Sequence, residues 1–230
     1  MFNTYIYQPI FSVLVLIYEH IAFNDFGVAV IILTILVRII LFPIFYKGAK
    51  SQTIMQRLQP KIKEIQEKHK KDKEKQAKAM MDLYRENKFN PFSSFFLLIL
   101  QLPVFFALFR IFTRGLSGTE FVNHTLFGIV NLGESSIPLA ILAAGAQYLQ
   151  GKLSLVRQKR NSGQGGEKNP TASIGKTMML ISPIFSFVIL LNLPSALGLY
   201  WFISTLFSVF QQLYINKKLE EEEKIVDKQG

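Results

Sequence analysis

Long apolar stretches alternate with shorter polar ones along most of the chain. Five of the apolar stretches approach the roughly 20 residues that a helix needs to cross a bilayer. The pattern therefore predicts an all-α polytopic membrane protein with a five-span core over 24–216, whose transmembrane helices lie at 26–46, 92–112, 137–155, 177–193 and 196–215. Pro194 separates the last two of them.

The N-terminal residues 1–23 contain a sixth apolar stretch, which we do not count as a span. Its polar residues, among them Gln8, Ser12 and Glu19, fall roughly on one helical stripe. That pattern is typical of an amphipathic helix lying in the membrane interface, here on the outer side. A signal peptide is the alternative, but the stretch has neither a basic start nor a small-residue cleavage site.

Residues 47–91 are too long for a simple connector between the first two spans. Two apolar stripes of helical period flank the polar run 69–73, and they predict a cytoplasmic hairpin of two amphipathic helices, with a kink or restart at Pro60. The hairpin is either a solvated spacer or a mobile arm that meets a client or the ribosome. We favour the arm, because two short helices that bury only each other would be marginal. Its candidate contact residues are Ile54, Leu58, Ile62, Ile65, Met80, Met81 and Tyr84.

Composition adds positive charge to this apolar chain. Of its 230 residues 50% are hydrophobic and only 18% are charged, yet the net charge is +10. A soluble domain carries about 25% charged residues, so a soluble globular enzyme and a disordered chain are both disfavoured.

The distribution of Lys and Arg predicts the orientation. Segments 47–91, 152–176 and 217–230 hold 23 of the 26 basic residues, whereas 1–24 and 115–136 hold none. Because basic loops stay in the cytoplasm, the N-terminus is predicted outside and the C-terminus inside. A Gly- and Ser-rich flexible loop at 156–175 and a mixed-charge tail at 217–230 would be cytoplasmic.

Catalytic signatures are missing from the sequence. It has no cysteine, and its three histidines lie in three separate segments. The stretch Gly175-Lys176-Thr177 resembles the end of a phosphate-binding loop, but Pro170 occupies the position of that motif's first glycine. We therefore predict a protein that is not an enzyme and that uses no cofactor or metal.

Arg38 is the most informative residue, because it lies within the first span. It would sit roughly 12 Å inside the cytoplasmic end of a straight helix ending at Tyr46. A charge at such depth costs about 2.5–3.5 kcal/mol on insertion scales, and arginine does not lose its proton. The other predicted spans contain no Asp or Glu. The guanidinium must therefore face water or neutral dipoles, unless it extends to the cytoplasmic headgroups.

The other spans offer neutral polar groups that could surround Arg38 in a wet cavity. Each glutamine among them could instead simply bridge two helices. The candidates are Thr34, Gln101, Gln147, Gln150, Tyr200 and Trp201, with Ser204, Thr205, Gln211 and Gln212 as further polar residues of the last span.

Several motifs then match a known family. The stretch TILVRIILFP at 34–43 resembles the first core span of YidC-type membrane protein insertases, the bacterial relatives of the mitochondrial oxidase-assembly and chloroplast Albino insertases. Similar motifs follow in the family's order from about residue 24 to 216, namely LQPK at 58–61, NP at 90–91, QLP at 101–103, LQGKLS at 149–154 and NLPSALGLYW at 192–201. The chain resembles short forms that lack the large external domain.

The resemblance implies an insertase that inserts and helps fold integral membrane proteins in the bacterial cell membrane. It implies a hydrophilic groove open to the cytoplasm and to lipid, with Arg38, Gln101, Gln147 and Trp201 in it and Gln150 and Tyr200 beside them. The implied partners are nascent membrane proteins and the lipid bilayer, with the ribosome and the Sec translocon as further candidates and no nucleic-acid specificity. Two features depart from the family: Ser204 and Thr205 replace asparagines, and the tail is not strongly basic.

Two other function classes fit a polar intramembrane cavity. A small transporter or channel would show internal repeats or paired intramembrane acids, and the sequence has neither. A passive assembly scaffold would bind clients without depending on groove polarity.

Overall fold

The computed structural model describes residues 2–87, 89–90, 92–114, 121, 123–161 and 170–229. This part of the chain is mostly helical, which confirms the predicted all-α class. A π-helical turn at Asn3–Tyr7 precedes the α-helices α1 Gln8–His20, α2 Phe26–Ile40, α3 Phe42–Lys68, α4 Lys73–Glu86, α5 Phe92–Arg114, α6 Ile137–Asn161, α7 Pro170–Leu190 and α8 Ser195–Gln229. Between α5 and α6, strands β1 Thr125–Leu126 and β2 Val130–Asn131 pair antiparallel.

Among the described residues, one helical segment is long and apolar enough by itself to cross a membrane, Ser195–Lys218 within α8. A second qualifies only if α2 and the start of α3 count as one bent span. Two further segments, Leu102–Thr113 and Met179–Leu190, are apolar but shorter. The five-span arrangement therefore stays a prediction.

The first predicted span, 26–46, is not one straight helix. α2 ends at Ile40, and the chain bends by 58° into the start of α3. Pro43, in the first turn of α3, has no backbone N–H and disfavours helical geometry in the residue before it. Arg38 consequently lies in the last turn of α2. The prediction of a straight helix that continues from Arg38 for eight more residues, to Tyr46, is wrong.

α3 and α4 pack against each other within the predicted hairpin segment. α3 continues through Pro60 to Lys68, so of the predicted kink or restart at Pro60 the restart is wrong and the kink stays a prediction. Asp72 caps α4 by accepting a hydrogen bond from the Lys75 N–H at 3.0 Å, and this bond is the main reason that the pKa of Asp72 is lowered. The stabilisation that this cap gives is therefore fully present above the ordinary pKa of aspartate. It is lost as the pH falls through the lowered pKa of Asp72. Residues 88 and 91 of this segment lie outside the described residues.

The predicted flexible loop at 156–175 is too long at both ends. α6 continues to Asn161 and α7 already begins at Pro170, while 162–169 lie outside the described residues. The predicted tail is likewise helical as far as Gln229, because α8 continues without a break.

Hydrogen bonds tie together the end of the fold where α2 and α8 begin. Asp25 caps α2 with one carboxylate oxygen, and its other oxygen accepts from the Phe127 N–H in the β1–β2 turn at 2.6 Å. At the start of α8, the Ser195 N–H donates to the Glu134 carbonyl at 2.7 Å and its hydroxyl donates to the Asn131 carbonyl at 2.8 Å. Polar backbone groups at this end are thus satisfied locally.

Gly27 allows β1 to lie directly on α2. A Cβ atom there would come within 2.5 Å of Leu126 Cδ1 and 2.9 Å of Leu126 Cα. We expect Gly27→Ala to destabilise the fold by about 1–3 kcal/mol through overpacking, measured as a lower Tm in detergent. Gly145→Ala is the matched control, because nothing lies within 4 Å of its added Cβ and alanine favours a helix. Equal Tm values for the two variants would contradict this packing.

Candidate functional site

Arg38 is buried between helices, with 9% of its surface exposed. Its Nε donates to the Ser204 hydroxyl on α8 at 2.9 Å, and its Nη2 donates to the same oxygen. Its Cζ lies 5.0 Å from the centre of the Phe45 ring, just beyond the bend. The guanidinium is therefore directed into the fold.

These partners of Arg38 are neutral. α2 contains no Asp or Glu, and the first acidic residue along α8 is Glu220. A hydroxyl and an aromatic ring attract a cation less strongly than a carboxylate would in the same low-dielectric surroundings. The backbone carbonyls at the end of α2 add dipoles that favour a cation. The charge is thus stabilised but not neutralised.

The predicted groove residues nearest the guanidinium differ in their surroundings. Thr34 is buried, and its hydroxyl donates to a backbone carbonyl of its own helix at 2.6 Å, so it adds little polarity to a groove. Tyr200 is buried in the apolar core on α8. Trp201 is half-buried and meets the Phe105 ring edge-on at 6.2 Å.

A second polar contact joins α6 to α7. Gln147 donates from Nε2 to the Ser182 hydroxyl, as expected for a glutamine that bridges helices. Its Oε1, however, is buried without a hydrogen-bond partner among the described residues, as is Nε2 of Gln211. An unsatisfied buried polar atom costs about 1–3 kcal/mol. Both atoms would therefore bind water or a polar group of another molecule favourably.

Hydrogen bonds join two of the predicted residues, Arg38 and Ser204, and join the predicted Gln147 to Ser182. Tyr200 lies near enough to Arg38 to interact with it electrostatically. Gln150 is half-buried on α6, and Gln101 belongs to α5, although its side chain lies outside what the structure describes. Ser182 was not predicted. Its only signal in the sequence is the four-residue spacing to Ser186, which places both serines on one helix face. Ser182 is half-buried and Ser186 is buried.

The predicted contact residues of the hairpin pack mostly on one another. Six of the seven lie between α3 and α4, namely Ile54, Leu58, Ile62, Ile65, Met80 and Tyr84. Burial raises the pKa of the Tyr84 phenol. Met81 is 52% exposed and is the most accessible of the seven, since Ile54, Ile65 and Met80 are half-buried and the other three are buried.

No group of three or more His, Asp or Glu side chains within the described ranges is placed to hold a metal ion. The chemistry that these residues offer is hydrogen bonding and one buried positive charge.

Comparison with known proteins gives a consistent result. The sequence model of the 60Kd inner membrane protein family matches residues 16–223. The chain is 36% identical over 195 residues to a protein of Fusobacterium nucleatum named membrane protein insertase YidC, covering 85% of this chain and 88% of that relative. Relatives of the same name from Magnetococcus marinus and Wolinella succinogenes are 34% and 35% identical over 86% and 95% of this chain. The chain spans only 34% and 38% of the length of those two relatives.

The bond between Arg38 and Ser204 can be tested by stability. Ser204→Ala should lower the free energy of unfolding by about 1–3 kcal/mol, because it leaves a buried charge with fewer acceptors. The same change in an Arg38→Met background should cost much less, since no charge then needs the hydroxyl. Thermal unfolding of the four proteins in detergent measures this coupling.

Ser208→Ala is the control, because the Ser208 hydroxyl bonds only a carbonyl of its own helix. If Ser204→Ala lowered the free energy of unfolding equally with and without Arg38, the bond between the two residues would not contribute to stability.

Proposed function

The chain belongs to the 60Kd inner membrane protein family, and from this premise we propose that it is a membrane protein insertase. It receives a nascent membrane protein from the cytoplasm, lowers the cost of dehydrating the polar end of that client, and releases the apolar segment into lipid. The relatives at comparable identity carry the name membrane protein insertase YidC, which supports this proposal.

The observation that carries the proposal is a buried Arg38 whose partners are neutral. When a client carboxylate reaches the guanidinium, Arg38 exchanges its hydroxyl partner for an anionic partner. That exchange is favourable in surroundings of low dielectric constant, where the attraction between opposite charges is several times stronger than in water. Arg38 therefore attracts acidic client tails part of the way into the membrane.

The buried atoms without partners supply the second element of the mechanism. Gln147 Oε1 and Gln211 Nε2 lie among apolar helices and lower the cost of admitting water or client peptide groups. Together with Gln101, Gln150, Tyr200 and Trp201 they would line a hydrophilic groove that opens to the cytoplasm and to lipid.

Two forces then move the client. The membrane potential favours outward movement of an acidic tail by about 2.3 kcal/mol per charge per 100 mV. Burial of the client's apolar segment in lipid supplies about 25 cal/mol per Å² of apolar surface. Neither step requires a covalent intermediate or a nucleotide.

The proposed topology has five spans, an interfacial α1 on the outer side and the α3–α4 hairpin in the cytoplasm. Its support is the asymmetry of Lys and Arg, of which 23 of 26 fall in segments on one side. In this arrangement Met81 of the hairpin faces the cytoplasm, where nascent chains, the ribosome or the Sec translocon would meet it.

Arg38→Ala should reduce insertion of a small client with an acidic outer tail by at least about tenfold, which corresponds to ~1.4 kcal/mol. Arg38→Lys should be tolerated, because a single acceptor holds the guanidinium and a lysine can supply one bond to it. Insertion into vesicles that contain the purified protein measures both variants, and Tm checks that each is folded.

The same client with a neutral tail serves as the control and should depend less on Arg38. Normal insertion of the acidic client by a folded Arg38→Ala variant would remove Arg38 from the mechanism.

Ser204→Asp should impair insertion of the acidic client, because a carboxylate beside Arg38 would occupy the cation that the client needs. Ser208→Asp adds the same charge one turn further along α8 and is the matched control, with a smaller expected defect. A folded Ser204→Asp variant that inserts the client as well as the parent protein does would show that Arg38 need not be accessible.

A further inference from the structure

The end of α5 that precedes the β1–β2 pair carries a cavity far along the chain from Arg38. Its volume is about 390 Å³, within the range of small-molecule sites, and Phe2, Phe106, Phe109, Arg110 and Thr113 line it. Three phenylalanine rings and one guanidinium make a site with an apolar body and a cationic edge.

The π-helical turn at Asn3–Tyr7 holds the Arg110 guanidinium in place. Nη1 donates to Asn3 Oδ1 at 2.7 Å, and Cζ lies 5.0 Å from the centre of the Tyr7 ring. A guanidinium has five N–H donors, so one bond to Asn3 leaves most of them for another acceptor. These contacts orient the positive charge without neutralising it.

The surroundings of the cavity favour a lipid over a soluble ligand. On the same side of α5, Leu102 and Phe106 are 43% and 51% exposed and lie one turn apart, so the apolar surface continues along the helix away from Arg110. The flanking segments 1–24 and 115–136 contain no Lys or Arg, so the positive charge near this end of the fold comes from Arg110 and Arg114 of α5.

We propose that this cavity binds a phospholipid with a net negative headgroup from the outer leaflet. The phosphate accepts hydrogen bonds from Arg110, and an acyl chain lies against Phe106 and Phe109. The lipid would fasten the N-terminal turn to α5, because Phe2 and Arg110 both contact it. This proposal does not depend on insertase activity. It depends on a membrane location, and the assignment to the outer leaflet rests on the topology proposed above.

Native mass spectrometry of the full chain tests the proposal. The protein is purified in detergent and given equal amounts of phosphatidylglycerol and phosphatidylcholine. We expect preferential retention of phosphatidylglycerol, and Arg110→Gln should reduce that preference about fivefold. Arg110→Lys should keep most of it. Phe106→Ala should weaken retention of both lipids by removing part of the acyl-chain wall.

Arg85→Gln is the matched control, because Arg85 is exposed on α4, outside the predicted spans. It should leave the preference unchanged. An unchanged preference in a folded Arg110→Gln variant would overturn the proposal. Displacement of phosphatidylglycerol by an equal concentration of soluble glycerol phosphate would also overturn it, since the ligand would then be free phosphate rather than a lipid.

Discussion

A buried guanidinium whose partners among the described residues are neutral is the constraint on which the interior of this protein depends. Arginine keeps its charge, so the fold must provide dipoles where lipid-facing helices normally provide none. It does so with the Ser204 hydroxyl, the Phe45 ring and the carbonyl end of α2. The break after α2 makes this possible, because the helix ends two residues beyond Arg38 and the Phe45 ring then lies against the charge.

Hydrogen bonds satisfy many of the buried polar groups in the described part of the fold, but not all of them. Where α2 and α8 begin, Asp25 and Ser195 bond to backbone groups in and after the β1–β2 pair. His124 Nε2, whose ring lies beside Phe26 at the same end, is buried without a partner among the described residues. Gln147 on α6 and Gln211 on α8 also keep a buried polar atom without a described partner. Buried polar atoms that could bind water therefore occur both near the start of α8 and away from it, and the proposed groove uses those of the two glutamines.

The sequence pattern was sufficient for the helical class and for the burial of Arg38, because apolar length and the cost of a lone charge are properties of local sequence. The sequence pattern was insufficient where a single proline or a contact between distant residues determines the local structure. Pro43 ends a helix that hydrophobicity alone extends to Tyr46. The partner that Arg38 bonds on α8 depends on how α2 and α8 rotate against each other. The apolar stripes on α3 and α4 could by their pattern contact either a client or each other. In the structure they pack against each other.

Large apolar side chains point outward from α6 and α7. Ile141, Ile184 and Phe185 are exposed, whereas Ser186 of α7 and Ser204 of α8 are buried. Exposed apolar side chains beside buried hydroxyl groups are expected when the surrounding solvent is hydrocarbon. A polar residue directed inward lowers the mean hydropathy of a helix without placing a polar group in lipid. Gln147 and Gln150 lower the mean hydropathy of α6 in this way, and both belong to the proposed groove.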